Sequence, residues 1–383
     1  MKRLELLDAA RLFAALSVVA FHYFFHGINI GTISTLGYAA GWADVSKYGY
    51  LGVEFFFMIS GYVIFFSARN RSASEFGVAR CVRLFPAFWV AMVFTTFFSR
   101  FWGGPHMTVY WPQFVANLTM LPGPLGYAAV DGAYWTLQLE LSFYSLVFLF
   151  LLAGLRNRLE PLFLAWPFAM LAAAHTGWQG LPYLGGYYTF FAAGALLAVM
   201  KERRSPVAWV ALGICLHLCL GFSASCADAF SEAKGTRFSL AVVWTVIVAQ
   251  FLFFLVLNTA RGQRLSIPGS RLAGGLTYPL YLIHAYFGYM ILSRFADEGN
   301  KVWLYGLTCG IVLGVSYAIH RMVERRYAIF WQMLFANTAG VVFGAVEATL
   351  GRFAGRFSRQ LEAEASAAVI AAQAPEPAAP PQK

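Results

Sequence analysis

Residues 6–27, LLDAARLFAALSVVAFHYFFHG, form an apolar segment in which Arg11 and His22 are separated by ten residues. Eleven steps of about 100° return to within about 20° of the same helix face, with the two side chains roughly 16 Å apart along the axis. Ionisable groups are costly inside a bilayer, so a cation near one membrane edge and a deeper imidazole on one stripe indicate a functional helix. The segment predicts a helix that spans a membrane.

The composition extends this prediction to the whole chain. Of its 383 residues, 59% are hydrophobic and 12% are charged, whereas about a quarter of the residues in soluble domains are charged. The fold class is therefore predicted to be all-α, a polytopic integral membrane helix bundle with about ten transmembrane helices. The predicted spans are 8–27, 48–68, 83–101, 134–155, 159–175, 183–200, 206–222, 238–258, 272–293 and 302–320.

The net charge of +10 is explained by membrane topology. With a cytoplasmic N-terminus, seventeen Lys and Arg residues fall in or beside the cytoplasmic connections and six fall on the opposite side. This is the asymmetry of the positive-inside rule. It predicts a multi-pass protein of the inner (plasma) membrane, with the lipid bilayer as partner and no nucleic acid.

Three segments lie outside the predicted spans. Residues 111–126 are apolar but contain three prolines, which favours an interfacial or re-entrant segment. Residues 328–360 carry polar side chains followed by arginines and are predicted to form an interfacial helix. Residues 361–383 are rich in Ala and Pro and are predicted to be a disordered tail. The functional domain is therefore predicted to be 1–327.

Two small-residue pairs indicate packing. Gly310 and Gly314 have the small-x-x-x-small spacing that lets two helices approach closely. Cys215 and Cys219 lie one helical turn apart and are interpreted as small buried side chains. Neither these two nor the other cysteines have a useful metal-ligand spacing, so we predict no metal.

Four titratable residues are predicted to share one depth. Counting from the span ends places His22, Glu54, Glu140 and His284 roughly 7–15 Å below the outer surface. A neutral histidine can take a proton from a hydroxyl, and a carboxylate can orient its ring. We therefore predict His22 as a general base, oriented by Glu140 or Glu54. A polar cluster that fixes helix packing, or a proton relay, is the alternative.

A basic cluster is predicted at the cytoplasmic edge. Arg80 and Arg83 share a helix face at i, i+3, and Arg11 enters the membrane at the same level. Arginine forks match phosphate oxygens, so we predict that these three bind a phosphate or pyrophosphate group. Contact with lipid headgroups is the alternative.

Residues 1–327 resemble the acyltransferase-3 family of membrane O-acyltransferases, the group that includes O-antigen, exopolysaccharide and Nod-factor O-acetyltransferases. Five motifs in order carry the resemblance, and any one of them alone would be weak. They are LDAAR at 7–11 leading to FHY at 21–23, GVEFFFMISGY at 52–62, RCVRLFP at 80–86, YWTLQLELSFY at 134–144, and TYPLYLIH at 277–284.

The resemblance implies an acyl-CoA donor, usually acetyl-CoA, and a hydroxyl of a carbohydrate or glycolipid as acceptor. It marks Arg11 and His22 as required and Arg80 and Arg83 as donor contacts. We assign His284, Trp135 and Tyr144, which lie in the last two motifs, to substrate binding. Many relatives have Asp where this chain has Glu54, a change that keeps the carboxylate.

These predictions combine into one mechanism. The donor's phosphates stay at the cytoplasmic edge, its pantetheine arm runs through a single lumen, and the thioester reaches His22 near the outer leaflet. Direct transfer to the acceptor and a covalent acyl-His22 intermediate both stay open. A proton-coupled transporter or flippase is the competing class, because buried His and Glu also suit a carrier. A non-catalytic scaffold is a weaker alternative.

Overall fold

The computed structural model describes residues 4–39 and 41–351, whose regular structure is helical, with no strand in these ranges. The main helices, in chain order, are α1 (Glu5–Phe21), α2 (Leu51–Ala68), α3 (Ala73–Trp102), α4 (Trp135–Leu152), α5 (Leu159–Thr176), α6 (Tyr188–Glu202), α7 (Pro206–Lys234), α8 (Leu240–Leu257), α9 (Ser270–Phe295), α10 (Lys301–Ile319), α11 (Ala328–Asn337) and α12 (Ala339–Gly351). A wide helical turn, His22–His26, continues α1, and a second, His320–Arg326, continues α10. Each predicted span therefore contains a helix.

The helices alternate in direction, as the predicted topology requires. The backbone amide of Ile267 donates to Glu5 at 2.7 Å, which joins the starts of α1 and α9 at one end of the bundle. Arg69 pairs with Glu202, which joins the ends of α2 and α6 at that same end. We call this the basic end, because the arginine-rich connections lie there, and the opposite one the far end.

Seven helical segments of the described residues are long and apolar enough to cross a membrane. They are Glu5–Asn29, Trp42–Ala68, Ala73–Trp102, Trp135–Leu152, Pro206–Lys234, Leu240–Leu257 and Lys301–Arg326; α11 with α12 would make an eighth. The other predicted spans correspond to α5, α6 and α9. Helix α6 has 15 residues, and Phe190–Met200 is buried all round by other helices. Helix α9 is also mostly buried, so polar side chains within it, such as Thr277 and His284, face protein instead of lipid.

Loops at the far end fold back against the helices. The carboxylate of Glu298 accepts the backbone amide of Gly37 at 2.6 Å, and this hydrogen bond holds the pKa of the exposed Glu298 carboxyl below its usual value. Trp89, thirteen residues before the end of α3, donates its indole N–H to the Leu118 carbonyl at 2.9 Å. The segment 111–126 therefore runs back along α3, which supports the re-entrant interpretation.

The C-terminal helices lie along the start of α3. The Glu347 carboxylate accepts the amides of Ala73 and Ser74 at 3.1 and 3.0 Å and so caps α3. Phe335 contacts Trp89 at a ring distance of 5.9 Å. Helices α11 and α12 meet at a bend of 41°. The predicted interfacial helix is thus a bent pair up to Gly351, and the rest of it and the predicted tail lie outside the described residues.

Helix α2 packs against α6 through two glycines. A Cβ added to Gly194 would lie 1.9 Å from the Met58 carbonyl oxygen, and one added to Gly61 would lie 2.1 Å from that of Phe191. The backbones of α2 and α6 are therefore in direct contact, as small-residue interfaces allow. This contact fixes the register of α2, which carries Glu54 towards the far end and Ser60 towards the basic end.

We expect Gly194→Ala to destabilise the bundle strongly. Overpacking a core usually costs about 1–3 kcal/mol, and here the obstacle is backbone that cannot rotate away. The fraction of detergent-solubilised protein that stays monodisperse after a temperature ramp, measured by size-exclusion chromatography, should fall at a lower temperature than in the wild type.

Gly213→Ala is the matched control, because an added Cβ at that position in α7 would meet nothing within 4 Å. Equal thermal profiles for the two variants would contradict the α2–α6 contact.

The space around two other glycines contradicts one prediction from the sequence. Gly310 and Gly314 have no neighbour within 4 Å of an added Cβ, so they make no close helix contact among the described residues.

Candidate active site

Two cavities in the described part of the chain contain most of the predicted site residues. The first, near the basic end, has a volume of about 250 Å³, and we call it the basic cavity. The second, near the far end, has a volume of about 360 Å³, and we call it the imidazole cavity. The basic cavity is lined by Arg11, Arg80, Arg83, Glu140 and Tyr144, and the imidazole cavity by His22, Glu54, Trp135 and Lys234, among other residues. The three arginines and His22 thus line separate cavities along the bundle.

A wall of two side chains separates the cavities. Val53 and Tyr281 line both of them. The Tyr281 hydroxyl lies 2.7 Å from Thr136 Oγ1 and donates to the Ala133 carbonyl at 3.3 Å, so this ring is held in place. The predicted lumen from Arg11 to His22 is therefore divided into two adjacent cavities that meet at these side chains.

The basic cavity holds guanidinium groups that have spare donors. Among the described residues, the Nε–H groups of Arg11 and Arg80 are buried and have no hydrogen-bond partner. The Arg80 guanidinium also lies 5.6 Å from the ring centroid of Tyr144. Buried polar groups are normally paired, and arginine forms its strongest hydrogen bonds with phosphate or carboxylate. The cavity is therefore suited to an anionic ligand.

Glu140 and Tyr144 also belong to the basic cavity. Glu140 accepts from Tyr144 and, at 3.3 Å, from Ser60. Ser60 lies six residues beyond Glu54 on α2, roughly 9 Å closer to the basic end. The prediction that Glu140 shares the depth of His22 is therefore wrong, and Glu140 does not orient that ring. Its carboxylate lies on the cavity that the arginines line.

A contact between α3 and the end of α10 was not predicted from the sequence. Glu324 accepts from Arg83 at 3.1 Å and lies 2.7 Å from His320 Nδ1. His320 packs so closely on α9 that a Cβ at Gly275 would meet its ring at 2.3 Å. Both residues lie in the wide turn 320–326, a type of turn frequent at functional sites. The signal that could have found them is the acidic Glu324 inside an otherwise basic segment.

His22 faces the bundle interior. Its Nδ1 forms a short hydrogen bond with the hydroxyl of Tyr289 on α9, and its ring lies 4.8 Å from that of His284. The wide turn His22–His26 begins at this residue, with the Gly27 amide donating to the His22 carbonyl. Tyr289 is thus the residue that orients His22. No specific sequence signal identifies it beyond the tyrosines that recur along α9.

Glu54 lines the same cavity as His22 but is not its hydrogen-bond partner. Its Oε2 atom is buried without a partner among the described residues, as is the hydroxyl of Tyr50, which also lines this cavity. The predicted role of Glu54 in orienting His22 is therefore wrong. The Glu54 oxygen can instead accept a hydrogen bond from a ligand in the cavity, and the Tyr50 hydroxyl can donate one.

His284 has a defined tautomer. Its Nδ1 lies 2.8 Å from the Tyr281 carbonyl, which only accepts, so Nδ1 carries the proton and Nε2 carries the lone pair. That Nε2 has no partner within the described part of the chain. The residue is fully buried and lines neither cavity. The structure therefore places His284 behind His22 and does not place it on a cavity surface.

The loop before α4 holds the segment of α9 that carries these residues. Asp131 accepts the Tyr286 amide at 2.9 Å, and Tyr134 donates to the Leu282 carbonyl at 3.1 Å. Leu282 and Tyr286 are the i and i+4 positions of one helical turn, so both ends of that turn contact the same loop. A buried carboxylate inserted at this point fixes the local geometry of α9. The loop therefore also positions His284 and Tyr289, which lie beside Leu282 and Tyr286 on α9.

The fold and the two cavities define a polytopic helical membrane protein with a buried site that carries basic residues and histidine. The family model for the acyltransferase-3 domain, described as an acyltransferase domain, matches residues 4–321. The chain belongs to the acyltransferase-3 family and is a membrane acyltransferase.

One curated relative is the exopolysaccharide production protein ExoZ of Rhizobium meliloti (strain 1021). It is 29% identical over 305 residues, which cover 72% of this chain and 89% of ExoZ. No solved structure matches the chain.

Proposed function

We propose that this protein transfers an acyl group, most simply acetyl, from acyl-CoA at the basic end to a hydroxyl of a carbohydrate or glycolipid at the far end. The supporting observation is that a basic cavity and an imidazole cavity lie back to back in a chain of an acyltransferase family. The name of the relative ExoZ supports an exopolysaccharide as the acceptor class. The basic end would face the cytoplasm across the inner membrane.

The donor would bind through its phosphates. Arg11 and Arg80 offer unpartnered N–H groups, and Arg83 is already held in place by Glu324. The pantetheine arm would extend from these arginines towards Tyr281, over a length of the order of the roughly 16 Å that separates Arg11 from His22. The thioester would then meet the wall between the cavities.

The chemistry would take place beside His22. With Nδ1–H donating to Tyr289, the Nε2 lone pair takes the proton of the acceptor hydroxyl as its oxygen attacks the thioester carbonyl carbon. The carbon–sulfur bond breaks, and the imidazolium returns the proton to the departing thiolate, which leaves as free CoA. An acyl group would therefore cross the bundle while CoA stays on its own side.

The deciding experiment measures acyl-CoA consumption. Purified protein in lipid vesicles is given acetyl-CoA on one side and a glycan mixture on the other, and free CoA thiol and glycan mass are followed. We expect thiol release that depends on the glycan, together with a mass gain of one acetyl group. Glycan movement without thiol release would identify a transporter instead.

We expect Arg80→Ala and Arg83→Ala each to weaken acetyl-CoA binding by about 10–100-fold, since hydrogen bonds to charged groups contribute about 1.5–3 kcal/mol. Equilibrium binding at low and high salt checks this, because lost phosphate contacts should also reduce the salt dependence. Arg100→Ala, at the exposed far end of α3, is the matched control. Unchanged affinity and salt dependence in Arg80→Ala and Arg83→Ala would mean that these arginines do not bind the donor and only set the membrane orientation.

A further inference from the structure

Lys234, at the end of α7, lines the imidazole cavity and has no acidic partner among the described residues. Its Nζ donates to His26 Nδ1 at 2.8 Å, and it lies 5.6 Å from the ring centroid of Phe230. Within residues 4–39 and 41–351, no carboxylate oxygen lies within 4.0 Å of the Lys234 ammonium, so this lysine forms no ion pair there. The side-chain partner of this ammonium is therefore an imidazole instead of a carboxylate.

The position of Lys234 argues against a role as a membrane anchor. An anchoring lysine at a helix end extends outwards to the lipid headgroups, whereas Lys234 turns inwards to His26 and the cavity. The Lys234 carbonyl also accepts from Asn29 at 2.9 Å, so the end of α1 fixes both its backbone and its side chain. A cation held in this way is pre-organised for a ligand.

The charges in this cavity are separated by depth. Glu54 is only 1% exposed, whereas Lys234 is partly exposed at the end of its helix. An acceptor could therefore place a hydroxyl towards Glu54 and His22 and a negative charge towards Lys234. His26 lies one turn beyond His22, roughly 6 Å along the axis, which is about the width of one sugar ring.

We propose that Lys234 forms an anion subsite that orients the acceptor, so that the preferred acceptor carries a carboxylate or phosphate near the hydroxyl that is acylated. This inference rests on the proposed acyl transfer and specifies its acceptor. The ammonium binds the anion, His26 holds the ammonium, and the nearby hydroxyl lies within reach of His22. The anion takes part in no bond breaking, so Lys234 determines specificity.

Binding of three small probes to the full-length protein tests the subsite without turnover. Methyl glucuronide carries a carboxylate, glucose 1-phosphate carries a phosphate, and methyl glucoside carries neither. We expect at least one anionic probe to bind about tenfold more tightly than methyl glucoside, as a charge-assisted contact provides, and Lys234→Gln to abolish this preference. Lys234→Arg should retain it, and Arg237→Gln, which removes an exposed cation nearby, should leave it unchanged.

Each result has one meaning. Equal binding of all probes by the wild type would overturn the anion subsite, and a preference that survives in Lys234→Gln would overturn the assignment to Lys234. The relative affinities of the two anionic probes distinguish a carboxylate from a phosphate. Failure of the proposed function is seen separately, as an absence of thiol release with acetyl-CoA.

Discussion

Replacing His22 by glutamine should lower acyl transfer by about 10²–10⁴-fold, the usual contribution of a general base. Glutamine can keep a hydrogen bond to Tyr289 but cannot take a proton, so the change separates chemistry from packing. Turnover of acetyl-CoA in vesicles, with and without a glycan acceptor, gives the rate. Acetyl-CoA affinity should stay within about twofold of wild type, because the proposed donor phosphate site lies in the other cavity.

The control for this substitution is His175→Gln, which makes the same change at an exposed position of α5. Turnover of His22→Gln near the wild-type level would remove the assignment of His22 as base. Incubating wild-type protein with acetyl-CoA alone, followed by mass analysis of the peptide that contains residue 22, distinguishes the two routes. A mass gain of one acetyl group on that peptide would favour a covalent intermediate over direct transfer.

The orientation of His22 shows what the sequence can predict about a site of this kind. The spacing of Arg11 and His22 within one helix predicts that both face the bundle interior, because local periodicity decides that property. The partner of His22 lies on α9, 267 residues away in the chain, and depth counting does not reach it. The sequence predicts a carboxylate partner, because carboxylates often orient catalytic histidines, whereas this ring contacts a tyrosine.

The predicted depth of Glu140 in the membrane is wrong, for a physical reason. The predicted span 134–155 contains α4, but α4 begins at Trp135, which lines the imidazole cavity with His22, so Glu140 lies more than one turn further towards the basic end. Glu140 therefore lies with the arginines instead of with His22. Counting residues from a span end assumes that every span starts at the same surface, and a re-entrant loop removes that reference.

Helix packing was likewise decided by contacts that the pattern does not show. Gly310 and Gly314 have the expected spacing, but an added Cβ at either would meet nothing within 4 Å among the described residues, whereas Gly61 packs on the backbone at Phe191 and Gly194 packs on the backbone at Met58. A small-residue motif indicates where a close approach is sterically allowed. It does not identify the partner, which depends on the topology of the whole bundle.

A substitution in the wall between the cavities is expected to have the second large effect on acyl transfer. If the acyl-pantetheine arm passes between Val53 and Tyr281, then Val53→Phe should obstruct it and lower acetyl transfer by about 10²-fold, the cost of a small misplacement of reacting groups. Acetyl-CoA should still bind with near wild-type affinity, because the arginines of the basic cavity are untouched. Measuring affinity and turnover on the same preparation tests both statements and shows that the variant is folded.

Two controls make the result specific to this passage. Val53→Ala removes volume from the wall and should preserve or raise turnover, whereas Val93→Phe adds the same ring at an exposed position of α3 and should change nothing. Because Tyr281 is held by Thr136, Thr136→Val should loosen the ring and partly rescue Val53→Phe in the double variant. Full turnover in Val53→Phe would mean that the acyl-pantetheine arm does not pass between Val53 and Tyr281, and that donor and acceptor meet elsewhere.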